Sequence, residues 1–180
     1  MNNWGKAVVI SCVTCTNRLR GYEIEDPLSI YLHDHLAGAA LAVDLLEALR
    51  DRHPGDELGD FAAMILREGE EDRTTLKNRA DRIGAGSSQL KEFSVWLSEK
   101  LTRIKLNRQS HSLGTFEALE FLALGIRGKL ALWDALKTLT PSDTRLHGMD
   151  FDGLATRAKA QNDQVEERRL AEARIVLAAR

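Results

Sequence analysis

The sequence predicts an all-α protein built from four long helices. Along four long segments, apolar residues recur at spacings of three and four, which is the period of one face of a helix. The three prolines of the chain all fall at segment boundaries, where proline does not interrupt a helix. No second run of alternating apolar and polar residues is present to pair into a sheet. A chain of 180 residues is long enough for one domain of this kind.

The first predicted helix begins at Pro27 and ends near His53. Asp26 is a typical N-cap residue, and a proline at the first helical position already has the backbone angle that a helix needs. Residues 1–25 show no helical period and are predicted to be an irregular N-terminal arm, so the bundle is expected over residues 26–180. The apolar face of this helix comprises Leu28, Leu32, Leu36, Ala39, Val43, Leu46 and Leu49.

The second predicted helix begins after Asp56 and ends at Gly84, because glycine commonly follows the last residue of a helix. After it, residues 88–104 predict a short and locally basic helix. This segment lies where two pairs of long helices would need a connection. The face of the second helix that is expected to point inward contains Leu58, Ala62, Ile65, Asp72, Leu76, Ala80 and Ile83.

The third long helix is predicted from Ser112 to about Leu139, and the fourth from Phe151 to about Ala179 with Asp150 as its N-cap. The helix that ends near Leu139 is apolar on two faces, and such a helix is central in its fold or covered by a partner. We therefore expect the chain to form a homodimer through the second face, since symmetric dimers are the commonest soluble assemblies. That second face consists of Phe121, Leu124, Gly128, Leu132, Ala135 and Leu139.

The composition excludes several classes of protein. The net charge of −2 gives no basic footprint of a nucleic-acid binder, so no nucleic-acid partner is expected. No apolar run approaches the roughly 20 residues that cross a bilayer, so no membrane span is predicted. We expect a cytoplasmic protein. The alternative is export, because Lys6 and the apolar residues 7–15 resemble a short signal segment.

The only two cysteines, Cys12 and Cys15, lie close together in the N-terminal arm. A zinc site would need two further strong ligands, and the chain has no second cysteine pair. A thioredoxin-type motif would need a neighbouring βαβ unit, which the sequence does not predict. We interpret the two cysteines as thiols without a metal or redox role.

Polar residues interrupt the inward-facing rows of these helices, where a soluble helix would normally be apolar. Helical bundles that hold metal between their helices are built in this way. Glu68 and Asp72 lie one turn apart, and two carboxylates buried together need a cation beside them. The residues on or beside the inward rows are His35, Glu68, Asp72, Glu117, Gln161 and Arg168.

Four stretches resemble the ligand-bearing segments of the ferritin-like superfamily: residues 32–39, residues 68–73, the pair Glu117 and Glu120, and residues 164–170. The order of the helices is similar as well, over residues 27–179. The resemblance implies a ferritin-like up-down four-helix bundle with a short extra helix in the crossover connection. It also implies kinship with bacterial members of the superfamily that have no assigned activity.

The chain departs from the di-iron members of that superfamily. Those members place a Glu on each of two helices and a Glu-x-x-His on each of the other two. Here an alanine, Ala39 or Ala40, stands near the expected Glu of the first helix, and Glu-x-x-His occurs nowhere in the chain. We therefore expect no iron or manganese cofactor, and we expect an arginine to take the place of the metal. The predicted internal polar network consists of Glu68, Asp72, Glu117, Gln161, Arg168 and Arg169.

Three functions are compatible with the sequence. The leading hypothesis is a non-catalytic scaffold or interaction protein without catalytic or cofactor-binding residues, whose protein partner the sequence does not identify. One alternative is a small apolar ligand carrier, with a cavity lined by small residues such as Ala39, Gly69 and Gly128. The other is a carboxylate-rich metal-binding protein or metal-dependent oxidase that uses Fe or Mn. Its candidate ligands are His35, Glu68, Glu71, Asp72, Glu117 and Glu120.

Overall fold

The computed structural model describes residues 26–84 and 111–178, and within these ranges the protein is helical and contains no strand. The prediction of an all-α four-helix bundle is confirmed for this part of the chain. The predicted arm with Cys12 and Cys15, and the predicted short helix at residues 88–104, lie outside the described residues. The helices are α1 (Pro27–Arg52), α2 (Glu57–Ile83), α3 (His111–Leu139) and α4 (Phe151–Val176), with a 3-10 turn (Thr144–Leu146) before α4.

The helix boundaries follow local signals in the sequence. The Asp56 carboxylate accepts hydrogen bonds from the backbone N–H groups of Leu58 and Gly59, both at 2.9 Å, and caps α2 as predicted. Gly84 ends α2 with a φ of 79°, in the left-handed region that favours glycine. α3 begins one residue before Ser112, so this serine lies inside the helix rather than at its cap.

The helices form two antiparallel hairpins that pack against each other. α1 packs on α2, α3 packs on α4, and α1 also packs on α3. Between α1 and α2 the turn is tight, because a Cβ at Gly59 would collide with the backbone oxygen of His53. His53 Nε2 lies 3.1 Å from Thr115 Oγ1, which places the end of α1 beside the start of α3.

These contacts fix the helix directions: α1 runs antiparallel to α3, so α2 and α3 run the same way. The end of α2 and the start of α3 therefore lie at opposite ends of the bundle. At 1.5 Å per residue, the 27 residues of α2 separate these ends by about 40 Å.

The core is divided into two apolar clusters, one at each end of the bundle. The cluster near the α1–α2 turn includes Leu46, Ile65, Leu119 and Val165. The cluster at the opposite end includes Leu32, Trp133, Leu136 and Phe151. Polar side chains from α2, α3 and α4 lie at the level between the two clusters. In residues 26–84 and 111–178, no helix combines the length and the apolar character that crossing a bilayer requires.

Candidate functional site

A polar layer built on Asp72 lies between the two apolar clusters. Asp72 is 4% exposed and Gln161 is 1% exposed, so both are removed from water. Lys129 on α3 donates from its Nζ to Asp72 Oδ2 at 2.5 Å and also to Gln161 Oε1. A buried carboxylate is costly unless it is paired and hydrogen-bonded, and the lysine supplies both kinds of contact.

The layer continues across the seam between α2 and α4. Gln161 Nε2 donates to Glu68 Oε2 at 2.8 Å and to Asp72 Oδ2 at 3.4 Å. Arg157 Nη2 donates to Asp72 Oδ1, and its Nη1 lies 3.6 Å from Glu71 Oε2. Both carboxylate oxygens of Asp72 are therefore engaged, and each has a cation beside it. A carboxylate held in this way links α2 to α3 and α4.

The structure brings together part of the predicted network. Glu68, Asp72 and Gln161 meet in the polar layer, and Glu71 lies at its margin through Arg157. Glu117 is half-buried on α3, but twelve residues separate it from Lys129, which places it about 18 Å away along the helix. Across the described residues, no group of three or more His, Cys, Asp and Glu side chains is placed to hold a metal ion.

The predicted arginines lie elsewhere, near the α1–α2 end of the bundle. Arg168 Nη1 is 3.6 Å from Glu57. Arg169 pairs with Glu166 at 2.6 Å, lies 3.6 Å from Glu120, and covers the ring of Phe116. The reason is the position along α4: Arg168 follows Gln161, the nearer of the two α4 residues that contact Asp72, by seven residues, or about 10 Å of helix.

Two cations reach Asp72, and they are Lys129 and Arg157. Neither was predicted from the sequence. For each of these two residues, the spacing in the sequence indicates the helix face on which it lies. Lys129 continues the buried row of Leu122 and Ile126 at a spacing of three, so its stem faces the core. Arg157 precedes Gln161 by four residues and therefore shares its helix face.

A cavity of about 110 Å³ lies beside the polar layer, between α1, α2 and α3. Its walls are mainly apolar, and the charged residues among them are Asp72, Arg73 and Lys129. His35 and Trp133 lie at its α1 and α3 walls. Of the small residues expected to surround such a cavity, Ala39 and Gly69 line it and Gly128 does not. The small residues that line it are Gly38, Ala39, Ala42, Gly69 and Gly125.

Three glycines on three different helices leave this space open. A Cβ on Gly38 or Gly125 would meet no neighbouring atom within 4 Å, and one on Gly69 would meet only Leu46 Cδ1 at 4.0 Å. Alanine would therefore fit at all three positions. A glycine inside a helix costs about 1 kcal/mol relative to alanine. The three glycines around the cavity therefore lower the stability of their helices by about 3 kcal/mol in total.

His35 is half-buried at the edge of the cavity. Its ring meets the ring of Tyr31 edge-on, with a centroid separation of 4.7 Å. Burial lowers the pKa of His35 below 6.5, and the opposing effect of the nearby Asp34 charge is smaller. The imidazole is therefore held neutral where a water-exposed histidine would begin to bind a proton.

Replacing His35 with glutamine should make the stability of the protein less sensitive to mild acid. In the unfolded chain His35 takes up a proton near pH 6.5, whereas in the folded protein it does so only at lower pH. Its contribution to stability is thus present above pH 6.5 and is lost as the pH falls through the folded pKa. Urea unfolding at pH 7.5 and 5.5 measures the difference. Equal losses in wild type and His35→Gln would contradict the prediction.

Comparison with protein-family models, curated proteins and solved structures finds no match to this chain.

Proposed function

We propose that this protein is a non-catalytic, ferritin-like bundle that carries a small apolar molecule between its helices. The observation that carries the proposal is the cavity bounded by Gly38, Gly69 and Gly125. Each of these glycines has room for a methyl group, and each weakens its own helix. A bundle selected only for stability would gain from alanine at all three positions.

The ferritin-like relationship is supported by the course of the chain. Two antiparallel pairs with α2 and α3 running the same way require one long crossover, as ferritin-like folds do. The polar layer lies between the two core clusters, at the level where such bundles hold their metal ions. We propose that Lys129 and Arg157 take the place of those ions as counter-charges for Asp72.

The size and walls of the cavity define the class of ligand. An engineered apolar cavity of about 150 Å³ in another protein binds benzene or xenon, so a space of about 110 Å³ suits a molecule no larger than benzene. Asp72 and Lys129 pair with each other, and the exposed side chain of Arg73 can keep its charge in water, so the remaining lining is mainly apolar. Burial of apolar surface would supply the binding energy.

Binding of benzene and xenon tests this proposal against a filled cavity. We expect both probes to raise the Tm of the wild type and to leave the triple variant Gly38→Ala, Gly69→Ala, Gly125→Ala unchanged. The triple variant should itself be more stable by about 1.5–3 kcal/mol, because each alanine restores about 0.5–1 kcal/mol.

Gly128→Ala is the matched control. Gly128 also lies inside α3, and a Cβ there would meet no neighbouring atom within 4 Å, but this residue does not line the cavity. The variant should gain about 1 kcal/mol and keep the response to benzene. No response in the wild type, or an equal response in the triple variant, would refute the carrier function.

A scaffold that associates with itself is the second candidate, favoured by Leu124, which is 58% exposed on α3. Elsewhere in the predicted contact row, Leu132 is buried within the bundle, so the available face is narrower than the sequence suggests. Light scattering at high protein concentration tests this candidate. A dimer in the wild type that becomes a monomer in Leu124→Glu would support it.

Elemental analysis distinguishes the metal-binding alternative from the carrier and from the self-associating scaffold. The protein is purified without a metal-affinity column and analysed before and after incubation with Fe(II) or Mn(II). We expect no bound metal, because Lys129 and Arg157 already neutralise Asp72. Stoichiometric metal that is lost in Glu68→Ala would favour a metal-dependent oxidase instead.

A further inference from the structure

A second concave surface lies at the end of the bundle where α2 ends and α4 begins. This groove has a volume of about 580 Å³, within the range of small-molecule sites. It is lined by Arg79 and Arg82 from α2 and by Arg157 from α4. It shares no lining residue with the cavity between α1, α2 and α3.

Two of these arginines have no acidic counterpart in the described part of the chain. No described carboxylate lies within 4.0 Å of the guanidinium of Arg79 or Arg82. The two residues are three apart on α2, so their side chains occupy the same face. Arg157 differs, because Asp72 and Glu71 hold its charge.

The guanidinium of Arg79 is held in place before any ligand arrives. Its Nη1 donates to the backbone oxygen of Arg145 at 2.7 Å, which leaves its other N–H groups for a further acceptor. Burial lowers the pKa of Arg79, and the nearby charge of Arg82 lowers it further, so each guanidinium lies in the field of another positive charge. An anion between the two guanidinium groups would relieve the repulsion between them.

We propose that this groove binds a soluble small molecule through a phosphate group held by Arg79 and Arg82. A guanidinium presents paired N–H donors that match the oxygens of a phosphate, and charged hydrogen bonds of this kind are the strong ones. Met149 and Leu154 line the groove and supply an apolar wall for the organic part of the ligand. Asp150 also lines it, with Oδ1 accepting from the backbone N–H of Gly153 as the cap of α4, and the two charges of Arg79 and Arg82 exceed its single negative charge.

Calorimetric titration with inorganic pyrophosphate tests the proposal. We expect binding to the wild type and a loss of at least about tenfold in affinity for Arg82→Gln, the effect of one charged hydrogen bond. Arg82 is exposed, so its replacement leaves the packing intact. Arg67→Gln removes the same charge from an exposed position of α2, about 22 Å along the helix, and should change affinity by no more than about twofold.

Absence of heat in the wild type would overturn the proposal. So would equal weakening by Arg67→Gln and Arg82→Gln, because a general attraction of anions would then explain the binding. A second experiment uses vesicles with and without phosphatidic acid, because the headgroup of this lipid carries a phosphate group like that of the proposed soluble ligand. Co-sedimentation with phosphatidic acid vesicles and no heat with pyrophosphate would overturn the assignment to a soluble ligand.

Discussion

Replacing Asp72 with alanine should lower the free energy of unfolding by about 3–5 kcal/mol, the usual cost of removing one partner from a buried ion pair. Asp72 is 4% exposed and binds cations through both carboxylate oxygens. Its loss leaves Lys129, whose side chain is only 20% exposed, with an uncompensated charge inside the bundle. Because Arg157 is more exposed and can turn toward water, we expect a value near the lower limit. Urea unfolding measures the change.

Two further variants distinguish the effect of breaking a buried ion pair from the effect of removing one negative charge. Asp81→Ala breaks the exposed pair of Asp81 with Lys77 on the same helix, and it should change stability by less than about 1 kcal/mol. The double variant Asp72→Ala, Lys129→Met removes both buried charges and should recover most of the loss. If Asp72→Ala unfolds like Asp81→Ala, water reaches the polar layer and the cations are not structural.

The boundaries of the helices could be predicted because the signals that set them are local. Pro27, Asp56 and Gly84 act through the backbone of their own turn, so one sequence is enough to place them. The existence of buried polar residues could be predicted from the sequence for a similar reason. Asp72 and Gln161 interrupt apolar rows on their own helices, and both are buried.

The partners in the polar layer depend on how the helices are placed relative to one another. Asp72 could have met any cation on α3 or α4, and helix level decides that Arg157 reaches it while Arg168 does not. Sequence periodicity gives the face of a residue but not its height against another helix. A lysine within an apolar row can also extend to water at the edge of its helix, so periodicity alone does not place Lys129 in the polar layer.

Among the residues that line the cavity, some could be predicted from the sequence and others could not. Ala39 and Gly69 could be expected at an interior surface, since both lie on inward rows. Gly38 and Gly125 line the same cavity because α1 packs on α3. An isolated glycine in a helical sequence has several explanations, and only the three-dimensional arrangement shows that these glycines surround one space.

Replacing Trp133 with alanine should cost about 3–5 kcal/mol and should create a site that indole refills. Trp133 is 1% exposed, packs against Phe151 with a centroid separation of 6.5 Å, and forms part of the cavity wall. Its Nε1 donates to no described residue, so the variant loses packing without leaving a polar partner unsatisfied. The vacated space joins the existing cavity, which hinders collapse of the surrounding helices.

Indole should therefore stabilise Trp133→Ala by about 2.7 kcal/mol at a concentration of 100 times its Kd, measured as an increase in Tm. Leu136→Ala is the matched control, because Leu136 is equally buried in the same cluster but does not line the cavity. It should also be destabilised, by about 2–5 kcal/mol, and should respond little to indole. A similar response in both variants would mean that indole binds wherever packing is loosened. A response confined to Trp133→Ala would mean that the walls of the cavity persist without the side chain, as a preformed ligand site requires.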